Sequence, residues 1–295
     1  MSMNSRTLPE ATIQADGTAV PLPTTSIQLP RKREWRNSVW VLVVLHVVII
    51  TGFLLFWQWA SANLIEPVWI SSPTLVWDRV LQLLGDGSLL VNTWATLQVA
   101  LIGLVLGTVL GLVLALIMNR FPYFGKVVWP YLMLGYAMPR IALAPFFVMW
   151  FGIGLLSKVL LVISVVVFVI LFNVRQGLET VDADHVDAMR SMRASKLATM
   201  RYVSIPTVIP WLVAGIKIAV GQALVSAVIA EMVGSTQGLG WLVTDSLNRF
   251  DMSGAITSLI IMVVLARGLY SVISLVESQL FKWRRTSGGG TADII

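Results

Sequence analysis

TWATLQVALIGLVLGTVLGLVLALIM, residues 93–118, runs for 26 positions without a charged side chain. About 20 apolar residues in helical form cross the hydrocarbon core of a bilayer. A lone strand of that composition would leave its backbone groups unpaired in lipid, so the stretch reads as a transmembrane α-helix. Working outward, five more apolar runs follow the same rule: Val39–Ala60, Val127–Phe151, Leu155–Phe172, Thr207–Val233 and Ala255–Val276. Six crossings make the chain an all-α polytopic membrane protein. Trp35, Trp40, Trp57, Trp59, Trp94, Trp129, Trp150, Trp211 and Trp283 sit at or near the ends of these runs, where interfacial aromatic belts form.

Composition agrees. Of 295 residues, 57% are hydrophobic and 12% charged, against roughly 25% charged in soluble domains. The mean hydropathy is +0.82. With no cysteine, disulfide frameworks, thiolate metal sites and cysteine nucleophiles are excluded. The net charge of +6 reads as basic flanks of membrane spans rather than a nucleic-acid surface. Arg31, Lys32, Arg33, Arg36, Arg120, Lys126, Arg175, Arg190, Arg193, Lys196, Arg201, Lys282, Arg284 and Arg285 fall on one side of a six-span topology. Only Arg79, Lys158 and Arg249 fall on the other. The positive-inside rule then puts both termini in the cytoplasm of a cell (inner) membrane protein.

This gives four regions. Residues 1–36, rich in Pro, Ser and Thr, are expected to be a disordered cytoplasmic segment. Residues 37–91 hold the first span, kept rather than cleaved as a signal peptide, and an extracytoplasmic connector with an amphipathic helix over Pro73–Leu84. Residues 92–283 hold the other five spans, and 284–295 form a flexible tail.

The cytoplasmic loop Asn173–Ile205 carries Glu179, Asp182, Asp184 and Asp187 early and Arg190, Arg193, Lys196 and Arg201 late. Acids first and bases last suit a helix dipole. Such a loop is either a docking surface for a cytoplasmic partner or a solvated connector. Pro206 and Pro210 mark the return into the membrane.

The loop resembles the signature of permease subunits of binding-protein-dependent ABC importers, written E-A-A, three residues, G, nine residues, I-x-L-P. Here it reads Asp187-Ala188-Met189, then Arg193, then Val203-Ser204-Ile205-Pro206 at the same spacing. Arg193 stands where the signature has Gly. Gly tolerates positive φ and Arg pays a steric cost there, so the turn between two short helices is expected to differ. Pro139 to Gly154, Ala230-Glu231-Met232-Val233-Gly234 and Gly238-Leu239-Gly240 are similar to stretches in the nitrate/sulfonate/taurine branch.

The resemblance implies a five-helix type I importer core that forms half of a translocation pathway. It implies two ABC ATPase subunits, a second permease copy (a homodimer or a close relative) and an extracytoplasmic substrate-binding protein. The coupling helix should lie within Asp182–Ser195, with Asp182, Asp184, Asp187, Ala188, Met189, Arg190, Arg193 and Pro206 serving the ATPase contact. The chain has no G-x-x-x-x-G-K-[ST] phosphate loop. It is therefore expected to bind no cofactor and catalyse nothing itself, leaving ATP and Mg to the partner ATPase.

Arg140, Lys217 and Arg267 fall near the middle of their spans. A charge there costs at least ~2.5–3.5 kcal/mol and usually faces a bundle interior or a wet cavity. For Lys217 a neutralising structural partner is expected. Arg140 and Arg267 are candidates for the substrate pathway, and cations near one depth favour an anionic cargo: nitrate, a sulfonate such as taurine, or a small carboxylate. Glu231, also a pathway candidate, either lines a gate or bonds loop amides at the outer surface. Gly103, Gly107 and Gly111 form a small-residue stripe read as internal helix packing ahead of a subunit interface. His46 and His185 lack metal-ligand spacing, so no metal is expected. An ion-gradient-driven secondary transporter is the rival reading, because a helix break and intramembrane charges fit it too.

Overall fold

The computed structural model of the chain describes residues 12–13, 19–20, 39–64 and 66–280. The expected disordered segment and the flexible tail lie largely or wholly outside the described residues. Within the former, β1 (Thr12–Ile13) and β2 (Ala19–Val20) pair antiparallel. The chain divides into two compact units, residues 1–55 and 56–295. The first contains most of α1 (Val39–Asn63), a 25-residue apolar helix. Everything below concerns the second.

α2 (Pro67–Ile70) leads into α3 (Pro73–Gly85), the expected amphipathic helix. The Ser72 hydroxyl accepts from the Leu75 amide at 3.3 Å and Pro73 fills the first turn, two standard start signals. Gly87, at φ 76°, turns the chain into α4 (Ser88–Arg120). α5 (Pro122–Ala137) and α6 (Arg140–Phe151) follow, then α7 (Leu155–Glu179). Beyond α7 come α8 (Ala183–Ser191), α9 (Lys196–Thr199), a wide π-type turn (Met200–Ser204) and α10 (Ile205–Gly234). α11 (Leu239–Asn248) and α12 (Met252–Leu280) end the described chain.

The third apolar run is broken at Pro139, the helix break expected where proline removes a backbone donor. α5 and α6 meet at 94°. Met138 is extended, at ψ 134°, because a residue before proline is driven out of the helical region. Pro139 lacks the donor that would continue α5.

Whether this bent pair crosses or turns back is decided by packing. An added Cβ on Gly103 would strike Val162, on Gly107 Val166 at 2.7 Å, and on Gly111 Ile170 at 2.9 Å. Both helices advance four residues per contact in the same direction, so α4 and α7 run parallel. The chain must return to its starting end between them, and only α5 and α6 are there to do it. The pair is a broken span, and α4, α5–α6, α7, α10 and α12 make five crossings.

The glycine stripe thus packs internally, as read from the sequence. Val99, Val162, Val166, Ile170, Leu171, Val174, Ala219, Ala223 and Ala227 form the core of the α4–α7–α10 sandwich. Close backbone approach by small residues is how helices gain packing energy where lipid offers no hydrophobic contrast. α3 and α11 cap one end of this bundle, tied there by the Arg79–Asp251 ion pair at 2.7 Å and the Ser71–Ser253 hydroxyl contact at 2.8 Å. α8 stands at the other end.

Candidate functional site

At the α8 end, the expected coupling segment folds as a capped helix. The Asp182 carboxylate accepts from the Asp184 amide at 2.9 Å and contacts His185 Nδ1 at 3.0 Å. The amide bond is the main cause that holds Asp182 below the usual carboxylate range. Arg190 pairs with Asp187 at 2.9 Å, one turn apart on the same face. Ala188 and Asp184 are exposed, Met189 is half-buried, and α8 has no fully buried residue.

Arg193 overturns the expectation of a changed turn. It adopts φ 55° and takes the left-handed position itself. Its amide donates to Arg190 O at 2.9 Å, and the Ala194 amide to Met189 O at 3.0 Å. Those two bonds are the Schellman helix stop, so the glycine geometry survives without glycine. Ser195 then caps α9 through the Ala198 amide at 3.1 Å.

The wide turn that follows has a cause in Pro206, half-buried in the first turn of α10. A proline ring in a regular helix collides with the carbonyl four residues back. Here the Ile205 amide reaches back five residues to Met200 O, opening the turn. Around it Met192, Leu197, Met200 and Tyr202 expose apolar side chains.

Arg140 begins α6 at the elbow. Its Nη2 donates to Tyr136 O at 3.1 Å, and its guanidinium lies 4.9 Å from the Tyr136 ring and 5.1 Å from the Phe168 ring. It lines a cavity of about 160 Å³ with Leu161 and Val165 of α7 and Gln222, Ser226 and Ile229 of α10. Ser226 Oγ bonds back to Gln222 O at 2.7 Å. The Gln222 amide group has no partner among the described residues and is exposed.

Neither of the other two mid-span cations lines the Arg140 cavity. Lys217 pairs with Glu277 of α12 and lies 5.5 Å from the Tyr270 ring, the structural neutralisation expected for it. Arg267 is exposed on α12, donates to Ser271 Oγ at 2.6 Å, and is not among the residues lining the Arg140 cavity.

Glu231 is also off the open cavity. It is 1% exposed. Oε2 accepts from the Thr96 hydroxyl and the Gly240 amide, both at 2.9 Å. Thr96 Oγ1 in turn accepts from the Leu239 amide, and Asn92 Oδ1 from the Gly238 amide, both at 2.8 Å. Of its two sequence readings, Glu231 takes the one that bonds loop amides. It clasps α4, α10 and the entry to α11.

Sequence reasoning missed Gln222, Ser226, Asn92 and Thr96. The available signal was weak: each is a polar residue inside an apolar run, and such residues tend to face the bundle or a cavity.

Residues 107–282 match a family profile described as "Binding-protein-dependent transport system inner membrane component". The chain is 33% identical to the riboflavin transport system permease protein RibX of Chloroflexus aurantiacus, over 89% of this chain and 97% of that one. It is 29% identical to the formylaminopyrimidine transport permease protein ThiX of Halalkalibacterium halodurans, over 79% and 92%. It is 24% identical to the taurine transport system permease protein TauC of Escherichia coli, over 86% and 94%. In fold it is similar to a chain of the MetNI methionine ABC transporter in an inward-facing conformation, with a TM-score of 0.52 and 20% identity over 64% of this chain and 92% of that chain.

Proposed function

The chain belongs to the family of binding-protein-dependent transport system inner membrane components, an ABC importer permease subunit, and from that premise we propose how it couples and what it carries. The observation that supports the coupling reading most is α8: a capped, exposed helix at one end of the bundle, joined to α10 through a Schellman stop, α9 and the wide turn. In this reading two ATPase subunits dock on α8 and on the apolar side chains of Met192, Leu197 and Tyr202. ATP and Mg stay on those subunits, and this chain supplies no catalytic group. The α8 end, rich in Arg and Lys, is the cytoplasmic end, and both termini lie there. A second copy completes the pathway, and an extracytoplasmic binding protein delivers cargo to the α3 end.

The Asp187→Arg change should abolish co-purification of the ATPase in mild detergent, and Arg190→Asp added to it should restore part of it only if that pair itself is recognised. Full ATPase retention in both variants would remove α8 from the interface. Uptake that survives ATP depletion but collapses with the proton or sodium gradient would favour a secondary transporter instead.

For cargo, we propose a small anion: nitrate, a sulfonate such as taurine, or a small carboxylate. Arg140 supports this alone, now that Lys217 is paired and Arg267 lies elsewhere. A neutral nitrogen heterocycle is the second reading, favoured by the greater identity to RibX and ThiX than to TauC. Competition of uptake by anionic, neutral and cationic solutes separates the two. Inhibition by neutral heterocycles alone would end the anion reading.

A further inference from the structure

A second cavity, of about 360 Å³, opens at the α8 end between the last turns of α4, the first turns of α5 and the last turns of α7. Its volume falls in the range of roughly 300–1,000 Å³ usual for small-molecule sites. Its walls are zoned. Ala115, Met118 and Leu171 supply apolar surface, while Asn119, Lys126, Arg175 and Glu179 supply polar groups. Gly125 closes α5 onto α4, since a Cβ there would sit 3.1 Å from Met118 O.

The cations are only partly compensated. Arg175 gives its Nε to Glu179 at 2.9 Å, and its guanidinium stacks 3.9 Å from the Trp129 ring centre. Its two Nη groups, and the Lys126 ammonium, take no partner among the described residues. Two positive groups and one carboxylate leave the cavity with a net positive charge. It lies at a bilayer boundary, just past the uncharged run 93–118, where Trp129 marks the interface.

We infer that this cavity binds an anionic phospholipid, its phosphate headgroup held by Lys126 and the free Nη groups of Arg175, its acyl chain laid along Ala115, Met118 and Leu171. Basic pockets between helices at the membrane surface suit such headgroups. A free small anion would match the cations but leave the apolar wall unused. The stacking of Arg175 on Trp129 fixes the guanidinium plane, which favours a two-point contact with phosphate oxygens. Lipid held there would brace α5 against α7 beside Glu179, three residues before the Asp182 cap.

Native mass spectrometry of the full chain, purified in a neutral detergent and offered phosphatidylglycerol, phosphatidylcholine or inorganic phosphate, tests this. Phosphatidylglycerol should be retained over phosphatidylcholine. Lys126→Gln, at a residue with no partner to lose, should weaken that retention about fivefold, the weight of one basic residue near an anionic surface. Glu179→Gln should strengthen it. Equal retention of the two lipids, or unchanged preference in Lys126→Gln, overturns the proposal. So does displacement of phosphatidylglycerol by millimolar inorganic phosphate, which would make the cavity a free-anion site.

Discussion

Two residues carry strain or burial that the sequence alone does not price. Arg193 holds φ 55°, where a residue with a Cβ loses of order 1 kcal/mol relative to glycine. Arg193→Gly should therefore slow amide exchange over Ala183–Ser191 by up to about fivefold, and Arg193→Val should speed it. Hydrogen exchange followed by mass spectrometry reads both. The family resemblance placed the turn, but it could not say whether the backbone or the residue would yield. Two Schellman bonds outweigh one unfavourable φ, so the backbone keeps its shape. Glu231 makes a second case. Glu231→Ala would strand the Gly240 amide in a buried site, at roughly 1–3 kcal/mol, while the Thr96 hydroxyl keeps Asn92 O as an acceptor at 3.2 Å. Glu231→Gln keeps the acceptor but sets an amide NH2 where Oε1 has no partner among the described residues, so it should lose stability too, though less than Glu231→Ala. Thermal unfolding in detergent should separate the two, and equal losses would mean that the carboxylate charge, not the acceptor, matters. The bond to a loop amide, nine residues on at Gly240, was one of the two sequence readings of Glu231; Thr96, 135 residues away, was illegible.

Elements were legible where composition decides and hidden where packing does. Apolar length identified α1, α4, α7, α10 and α12, and the amphipathic pattern of Pro73–Leu84 gave α3. Pro139 marked the break between α5 and α6, but hydropathy could not show its 94° angle, since residues on both sides of it are equally apolar. α11 was passed over, although Leu239, Leu242, Val243 and Ser246 form a buried stripe at helical spacing. A ten-residue helix at the membrane surface lacks the length that flags a span. The parallel α4–α7 pair, which proves the elbow to be a crossing, appears in sequence only as the spacing of Gly103, Gly107 and Gly111. That pair makes a prediction of its own. A Cβ at Gly111 would sit 2.6 Å from Val167 O, a backbone atom that cannot rotate away. Gly111→Ala should destabilise the bundle by about 1–3 kcal/mol, the usual cost of overpacking. Gly221→Ala, with nothing within 4 Å, should cost far less. A matching loss of melting temperature in both would contradict tight α4–α7 packing.

At the scale of the whole molecule, among the helices that join the two ends of the bundle, α10 connects the wide turn to the Glu231 clasp. α10 starts at the wide turn under α8 and ends at the Glu231 clasp, which holds α4 and α11. Motion of α8 can reach the far end by rotating or tilting α10 as a body, the kind of rigid-element shift that switching proteins use, with α7 as the other helix that leads directly to α8. The charged loop and its helix were legible in the sequence; this mechanical route was not, because it depends on how the Pro206 ring is accommodated. The Met200–Ser204 turn holds one more residue than a regular turn would, and one residue of helix is worth about 100° of rotation. Replacing Pro206 by Ala restores an amide that can bond Tyr202 O and removes the ring that forced the turn open. The turn should then close, swinging α8 around the α10 axis while leaving its caps, its charges and its exposed apolar neighbours intact. On the docking proposed above, ATPase association should survive in Pro206→Ala. If α8 is the coupling helix proposed above, uptake should fall roughly tenfold, within the 1–3 kcal/mol typical of coupling between sites. Parallel measurement of ATPase co-purification and of substrate uptake checks this. Loss of both would mean that Pro206 only holds the loop together, and loss of neither would mean that α8 and α10 are not rigidly joined.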